Sequence, residues 1–458
     1  MNSYDRLVTD ASTEAAPDGS GGSVLARGYL LTTAGMFALV FFSAFEALAV
    51  TTVMPGVARE LDGVRWFALS FAAPLASGVV GMVATGLWSD RRGPAAPLLT
   101  AVATFGAGLL VCGLAPSMPW LVTGRLLQGL GGGGLTVGLY IVVGQVYPRS
   151  LQPAVFASFA AAWVLPSLVG PSIAAWVADV AGWRWVFLGV VTLVAAATAL
   201  VVPSLRSLPP RPAEPEGAAA RRLLGWAVVA AVGVLALDLA DDAFRHGWAL
   251  SLAAAAVVGY AVRPLVPGGT LVGRPGLPSV IATRGSLSAG FFSAEAYLPF
   301  VLQEEWRWSP GAAGAVLAAA GLSWAAASQL QARLGTRLSD ERAMLAGAAA
   351  LATGTAVAWW AVGQHSHPAL LVVAYGISAA GMGTGYPRTS VATLTASNDA
   401  DRGFNSSALS VADSLGGALA LAVSGIVFVH TGQAFAAVFA VPVAWSVLAV
   451  LAARRTAP

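Results

Sequence analysis

Gly86-Leu87-Trp88-Ser89-Asp90-Arg91-Arg92-Gly93 puts one acid and two arginines into a short break between apolar runs. The run before it spans Trp66 to Leu87 and the run after it Ala95 to Ala115. Each is long enough to cross a bilayer, which takes about 20 apolar residues. The sequence therefore predicts a tight charged turn at a membrane surface, between two spanning helices.

Composition extends this to the whole chain. Of 458 residues, 57% are hydrophobic and only 10% are charged, where a soluble domain carries about 25% charged residues. So few charges cannot cover a water-facing surface of this size, and the chain is expected to be an all-α integral membrane protein. The net charge of +3 does not point to nucleic acid, because every basic residue is arginine and none is lysine. Guanidinium groups suit phosphate headgroups at the bilayer edge. Cys112 is alone and cannot form an intrachain disulfide. Without lysine there is no G-x-x-x-x-G-K-[ST] loop for ATP. Neither a nucleophile–base pair nor a metal-ligand cluster stands out, so the chain does not read as an enzyme and no cofactor or metal is expected.

About fourteen apolar runs follow one another from Tyr29 to Ala452. The seventh and eighth, Leu223–Ala240 and Trp248–Val266, are short. With the N-terminus inside, the cytoplasmic loops receive most arginines, among them Arg91, Arg92, Arg149, Arg221, Arg222, Arg333, Arg337, Arg454 and Arg455. The outside receives Arg59, Arg65, Arg184, Arg245 and Arg307. An inside excess of about threefold fits the rule that cytoplasmic loops are basic, with both termini cytoplasmic. Residues 1–27 are polar and small and are expected to be a disordered cytoplasmic tail without a cleavable signal peptide. The expected organisation is a six-helix bundle over 28–204, a cytoplasmic linker over 205–222, two inserted spans over 223–266 and a second six-helix bundle over 279–453. Two six-span halves related by repetition suit a rocking transporter.

Four segments carry a resemblance to a known family. Gly86 to Gly93 is similar to the G-x-x-x-D-R-x-G loop of the major facilitator superfamily. Leu121-Val-Thr-Gly-Arg125-Leu-Leu-Gln128-Gly129-Leu-Gly131 is similar to its L-x-x-x-R-x-x-Q-G-x-G. Pro166-Ser-Leu-Val-Gly170-Pro171-Ser-Ile-Ala174-Ala175 resembles its antiporter motif, with Pro166, Ala174 and Ala175 where that motif has glycine. Glu46-Ala-Leu-Ala-Val-Thr-Thr-Val-Met-Pro55 resembles the first-span motif of its fourteen-span drug:proton antiporters through the acid and the proline. The resemblance implies two six-helix bundles plus two inserted helices. It also implies proton-coupled export of hydrophobic or amphipathic small molecules, cationic ones among them, by alternating access. The driving force would be the proton motive force, across a bacterial inner membrane, and the chain would act as a monomer. A lipid or natural-product exporter of the same fold is the alternative.

Under this resemblance, Gly86, Asp90, Arg91 and Gly93 form a conformational latch. Gly86 and Gly93 would allow close helix approach and a tight turn, and Asp90 would cap a neighbouring helix or pair across the half-interface. Gly170 and Pro171 shape the antiporter helix. In the second-half counterpart of the latch, Ser328 to Gly335, Ala332 stands where the acid would be.

Acids and bases within a bilayer are expensive and mark function. Glu46, Glu295 and Asp413 fall well inside spans, as does Arg125. These four are the expected proton-coupling residues, with Glu46 and Arg125 at similar depth and able to pair. Arg284 and Arg388 lie near the cytoplasmic ends of their spans, where a long side chain reaches the interface. Phe45, Gln128, Trp163, Phe292 and Tyr297 are the expected substrate-cavity residues, since aromatic walls with a few acids suit amphipathic cations.

Overall fold

The computed structural model describes residues 23–208, 217–243, 247–398 and 401–457. Residues 1–22 of the expected tail and 209–216 of the expected linker lie outside them. Among the described residues there are fourteen α-helices longer than three residues and no strand. They are α1 (Leu30–Glu60), α2 (Phe67–Arg92), α3 (Ala95–Gly113), α4 (Met118–Val146), α5 (Gln152–Ala181), α6 (Arg184–Arg206), α7 (Ala218–Ala243), α8 (Gly247–Val262), α9 (Leu277–Glu305), α10 (Pro310–Leu334), α11 (Asp340–Gly363), α12 (Pro368–Thr395), α13 (Arg402–His430) and α14 (Phe435–Ala453).

Twelve of them are long and apolar enough to cross a membrane. The other two of the fourteen helices fall short by length or hydropathy alone. Helix α8 has only 16 residues. Helix α9 has 29, but Arg284, Glu295, Glu304, Glu305 and four serines lower its hydropathy. That polarity belongs to a helix surrounded by protein, because most of α9 is buried.

Helix contacts reveal the internal repeat. In the first half α1 packs on α5 and α6, α2 on α4, and α3 on α4 and α6. In the second, α9 packs on α13 and α14, α10 on α12, and α11 on α12 and α14. The halves meet along two seams that the same symmetry exchanges, α2 with α13 and α5 with α10. Helix α7 leans on the outside of the α2–α13 seam, with α8 packed on α7.

Small residues set the closest crossings, as expected where helices associate by packing in lipid. A Cβ at Gly129 would run into the Pro74 backbone of α2, and one at Gly131 into the Phe105 backbone of α3. On the α5–α10 seam the Pro171 ring sits on Gly314, and Ser167 sits on Gly321. The antiporter-like segment is thus the first half's contribution to a close half-to-half crossing.

The charged turn differs from its expectation. Asp90, Arg91 and Arg92 are the last residues of α2, and the chain turns only at Gly93, with φ 78°. Arginines in a last helical turn complement the helix dipole, so the charges extend α2 instead of breaking it. Asp90 does not cap α3, whose first turn has no side-chain cap. It is exposed and makes no ion pair among the described residues. Gly86 is not a close-approach point, since a Cβ there would meet only Val137 at 3.9 Å.

The end of the bundle opposite the N-terminus is sealed between the halves. Phe67 of α2 packs on Tyr297 and Phe300 of α9, with ring centroids 5.2 and 4.7 Å apart. Phe428 of α13 closes on the same two rings. Arg59 of α1 pairs with Glu304 of α9 at this end. Tyr297, expected in the cavity, is 1% exposed inside this seal. Helix α9 is covered on nearly every side, so facing inward does not mean facing a cavity.

Candidate functional site

In the first half the site begins with a proline. Pro74 of α2 has no N–H to give the carbonyl four residues before it. That carbonyl, on Ser70, accepts instead from Arg125 Nε of α4 at 2.9 Å. Arg125 Nη1 donates to Glu46 Oε1 of α1 at 2.5 Å and to Gln128 Oε1 at 2.8 Å. The Arg125 and Glu46 side chains are only 5% and 4% exposed. The pair ties α1, α2 and α4 together at one point. Gln128 is therefore a buried partner of Arg125 and not part of a cavity wall, which corrects its expected place. Its Nε2 has no hydrogen-bond partner among the described residues.

The second half has its own buried pair. Arg284 Nε of α9 donates to Asp413 Oδ1 of α13 at 2.8 Å. Its Nη1 donates to the Tyr386 carbonyl at 3.1 Å and to the hydroxyls of Thr389 and Ser390. The Arg284 guanidinium lies 3.2 Å from the Tyr386 ring centroid, a cation–π contact. Asp413 also accepts from the Ser288 hydroxyl and, at 2.9 Å, from the Tyr386 hydroxyl. Arg284 was expected to reach the interface, but its side chain is 11% exposed and anchored to α12 and α13.

Arg388 is likewise anchored. Its Nη1 pairs with Asp340 at 2.9 Å, and its Nη2 takes the carbonyls of Gln331 and Gly335. Carbonyls at the end of a helix have no partner within it, so Arg388 caps α10 and holds the α10–α11 loop. The acid missing at Ala332 is supplied by Asp340, from the start of the next helix.

Glu295 is different again. Its Oε2 accepts from the Tyr375 hydroxyl at 3.0 Å, and no cation pairs with it among the described residues. Tyr375 stacks on Phe291, Phe291 meets Trp324 edge-on, and Trp324 meets Tyr386, with centroids 5.2 to 5.4 Å apart. Of the remaining expected residues, Phe45 lies against Gly170 and Phe292 against Gly417. Trp163 is 52% exposed on α5. Sequence reasoning missed Ser70, Tyr375 and the pairing of Arg284. A proline four residues after Ser70, and Arg284 and Glu295 eleven residues apart on one helix, were the available signals.

The Major Facilitator Superfamily profile matches residues 36–294 and 280–458. The chain belongs to the Major Facilitator Superfamily. It is a multi-pass membrane transport protein for small molecules, and not an enzyme. A probable multidrug-efflux transporter of Mycobacterium tuberculosis is 29% identical over 434 residues, 91% of each chain. A multidrug transporter protein of Bacillus subtilis is 30% identical over 157 residues, 34% of this chain and 29% of that one. A POT family transporter solved with 5-aminolevulinic acid superposes with a TM-score of 0.69 at 15% identity, over 92% of this chain and 94% of that one. That likeness is one of superfamily fold.

Proposed function

We propose that this chain exports hydrophobic or amphipathic small molecules, cationic ones among them, in exchange for protons, as a fourteen-span drug:proton antiporter of a bacterial inner membrane with both termini cytoplasmic. The multidrug-efflux relatives support export of drug-like compounds. The observation that carries proton exchange is the Glu46–Arg125 pair, buried on three helices of one half.

A proton on Glu46 removes the negative charge that holds Arg125. The guanidinium keeps Gln128 and the Ser70 carbonyl, which sit on α4 and α2, and loses its hold on α1. Helix α1 also packs on α5, which forms one of the two half-to-half seams. Proton loading thereby reaches the surface on which the halves rock. Asp413 acts as an anchor in this scheme, because three donors on two of its neighbouring helices already hold it. In this scheme the closed aromatic seal at the end opposite the N-terminus, with no ion pair at Asp90 among the described residues, goes with a state that faces the N-terminal, cytoplasmic side.

Proteoliposomes with an imposed pH gradient and a panel of cationic and neutral compounds test this. Wild-type protein should accumulate a subset of the panel in response to the gradient, and Glu46→Gln should be folded but show no gradient-driven transport. Full coupled transport by Glu46→Gln contradicts the proposal. Gradient-independent extraction of lipid would replace it with the lipid-exporter alternative.

A further inference from the structure

The second half holds two charged groups that proton exchange at Glu46 does not use. Arg284 and Glu295 lie eleven residues apart on α9, which is about three turns and roughly 16 Å of rise. They therefore share one face of the helix, with Ser288, Phe291 and Phe292 between them. Helix α12 runs the opposite way and repeats the spacing with Tyr386 and Tyr375, also eleven residues apart. Tyr386 consequently stands at Arg284, and Tyr375 at Glu295.

Each charged group is only partly satisfied. A guanidinium has five N–H donors. Arg284 uses Nε and Nη1, and its Nη2 donates to nothing among the described residues. Glu295 accepts a single bond on Oε2 from a neutral hydroxyl, and its Oε1 accepts none among the described residues. Neither atom is among the fully buried unpartnered ones, so both edges are open to a ligand, and a matching charged group would bond to them in charge-assisted geometry. Between the two edges runs the ring ladder Tyr375–Phe291–Trp324–Tyr386. Phe292 and Trp324 keep part of their surface open beside it.

We infer that this face of α9 and α12 is a two-point site for an elongated amphoteric molecule. An ammonium group sits at Glu295, a carboxylate at Arg284 Nη2, and a flat apolar body lies along Phe292 and Trp324. The inference rests on the transport function proposed above and narrows its substrate class. A purely cationic ligand leaves the Arg284 edge unmatched, and a purely anionic one leaves Glu295 unmatched.

Three probes on one scaffold separate these cases: 4′-(aminomethyl)biphenyl-4-carboxylic acid, its methyl ester and its N-acetyl derivative. Binding to the purified full-length chain in detergent, without any gradient, is read by titration calorimetry. The amphoteric acid should bind wild-type protein at least about tenfold more tightly than either derivative, since a charge-assisted hydrogen bond contributes about 1.5–3 kcal/mol. Glu295→Gln should abolish the preference over the N-acetyl derivative alone, and Arg284→Gln the preference over the ester alone. Equal or tighter binding of either derivative to wild-type protein overturns the site, and so do losses that are not selective for the group. The wild-type comparison stands even if a variant does not fold. Preference for the amphoteric probe in a chain that moves nothing against a pH gradient would keep this site and contradict proton exchange. Gradient-driven transport without the preference would do the reverse.

Discussion

The Glu46 carboxylate meets the Arg125 guanidinium at 2.5 Å, and the same guanidinium takes the Ser70 carbonyl that Pro74 leaves free. The contact depends on both the charge pair and the proline, because without the freed carbonyl Arg125 would lack its fixed point on α2. Among the described residues it is the one place where α1, α2 and α4 are joined together by polar bonds.

Removing one partner of a buried pair strands the other charge, which costs about 3–5 kcal/mol. Arg125→Ala should therefore unfold in detergent well below wild type, and Glu46→Gln combined with Arg125→Gln should lose less than Arg125→Ala alone. Thermal unfolding followed by tryptophan fluorescence reads the difference. An unchanged midpoint for Arg125→Ala would mean that the pair is not held in a dry site.

The Arg59–Glu304 pair is partly exposed, at 47% and 33%, and exposed pairs contribute only about 0–1 kcal/mol to stability. Arg59→Gln should leave the unfolding midpoint nearly unchanged but populate the state in which this end is open. Spin labels at Asp62 and Arg307, both exposed and on opposite halves, should report a longer inter-label distance. An identical distance distribution would assign the seal to the Phe67–Tyr297–Phe428 rings alone.

Gly129 sits where a Cβ would strike the Pro74 backbone. Gly129→Val should overpack this crossing and cost about 1–3 kcal/mol, with loss of folded protein in membranes. Gly144→Val, where a Cβ meets nothing, is the control and should express as wild type does.

Asp340→Asn should release Arg388 from its charged partner while leaving its bonds to the Gln331 and Gly335 carbonyls. Faster amide exchange over residues 335–339 is the expected result, with a small change in global stability. Unchanged exchange there would show that the two carbonyl bonds suffice to hold the loop.

Much of the helical architecture was legible because long apolar runs report membrane-length helices directly. The pairing of Glu46 with Arg125 was legible for a simpler reason, since both fall at similar depth and a lone charge there needs a partner. Arg284 was not legible in the same way. Its depth suggested an escape to the interface, and its real partner, Asp413, is brought to it only by the packing of α9 on α13. The pairing of Arg388 with Asp340 was not legible from the second-half motif, which holds Ala332 at the acid position, because Asp340 comes from the start of the next helix. Tyr297 shows the limit of periodicity. On a helix enclosed by neighbours, apolar residues fall on every side, and sequence cannot separate a cavity wall from a seal.

The most direct test of the account is proton movement itself. Proteoliposomes are loaded with a pH-sensitive dye, and a compound that the pH-gradient panel shows to be transported is added outside with no gradient imposed. If Glu46 carries the exchanged proton, wild-type protein will shift the internal pH as that compound moves, and Glu46→Gln will not. A pH change of wild-type size in Glu46→Gln would contradict the claim that the Glu46–Arg125 pair couples protons to transport.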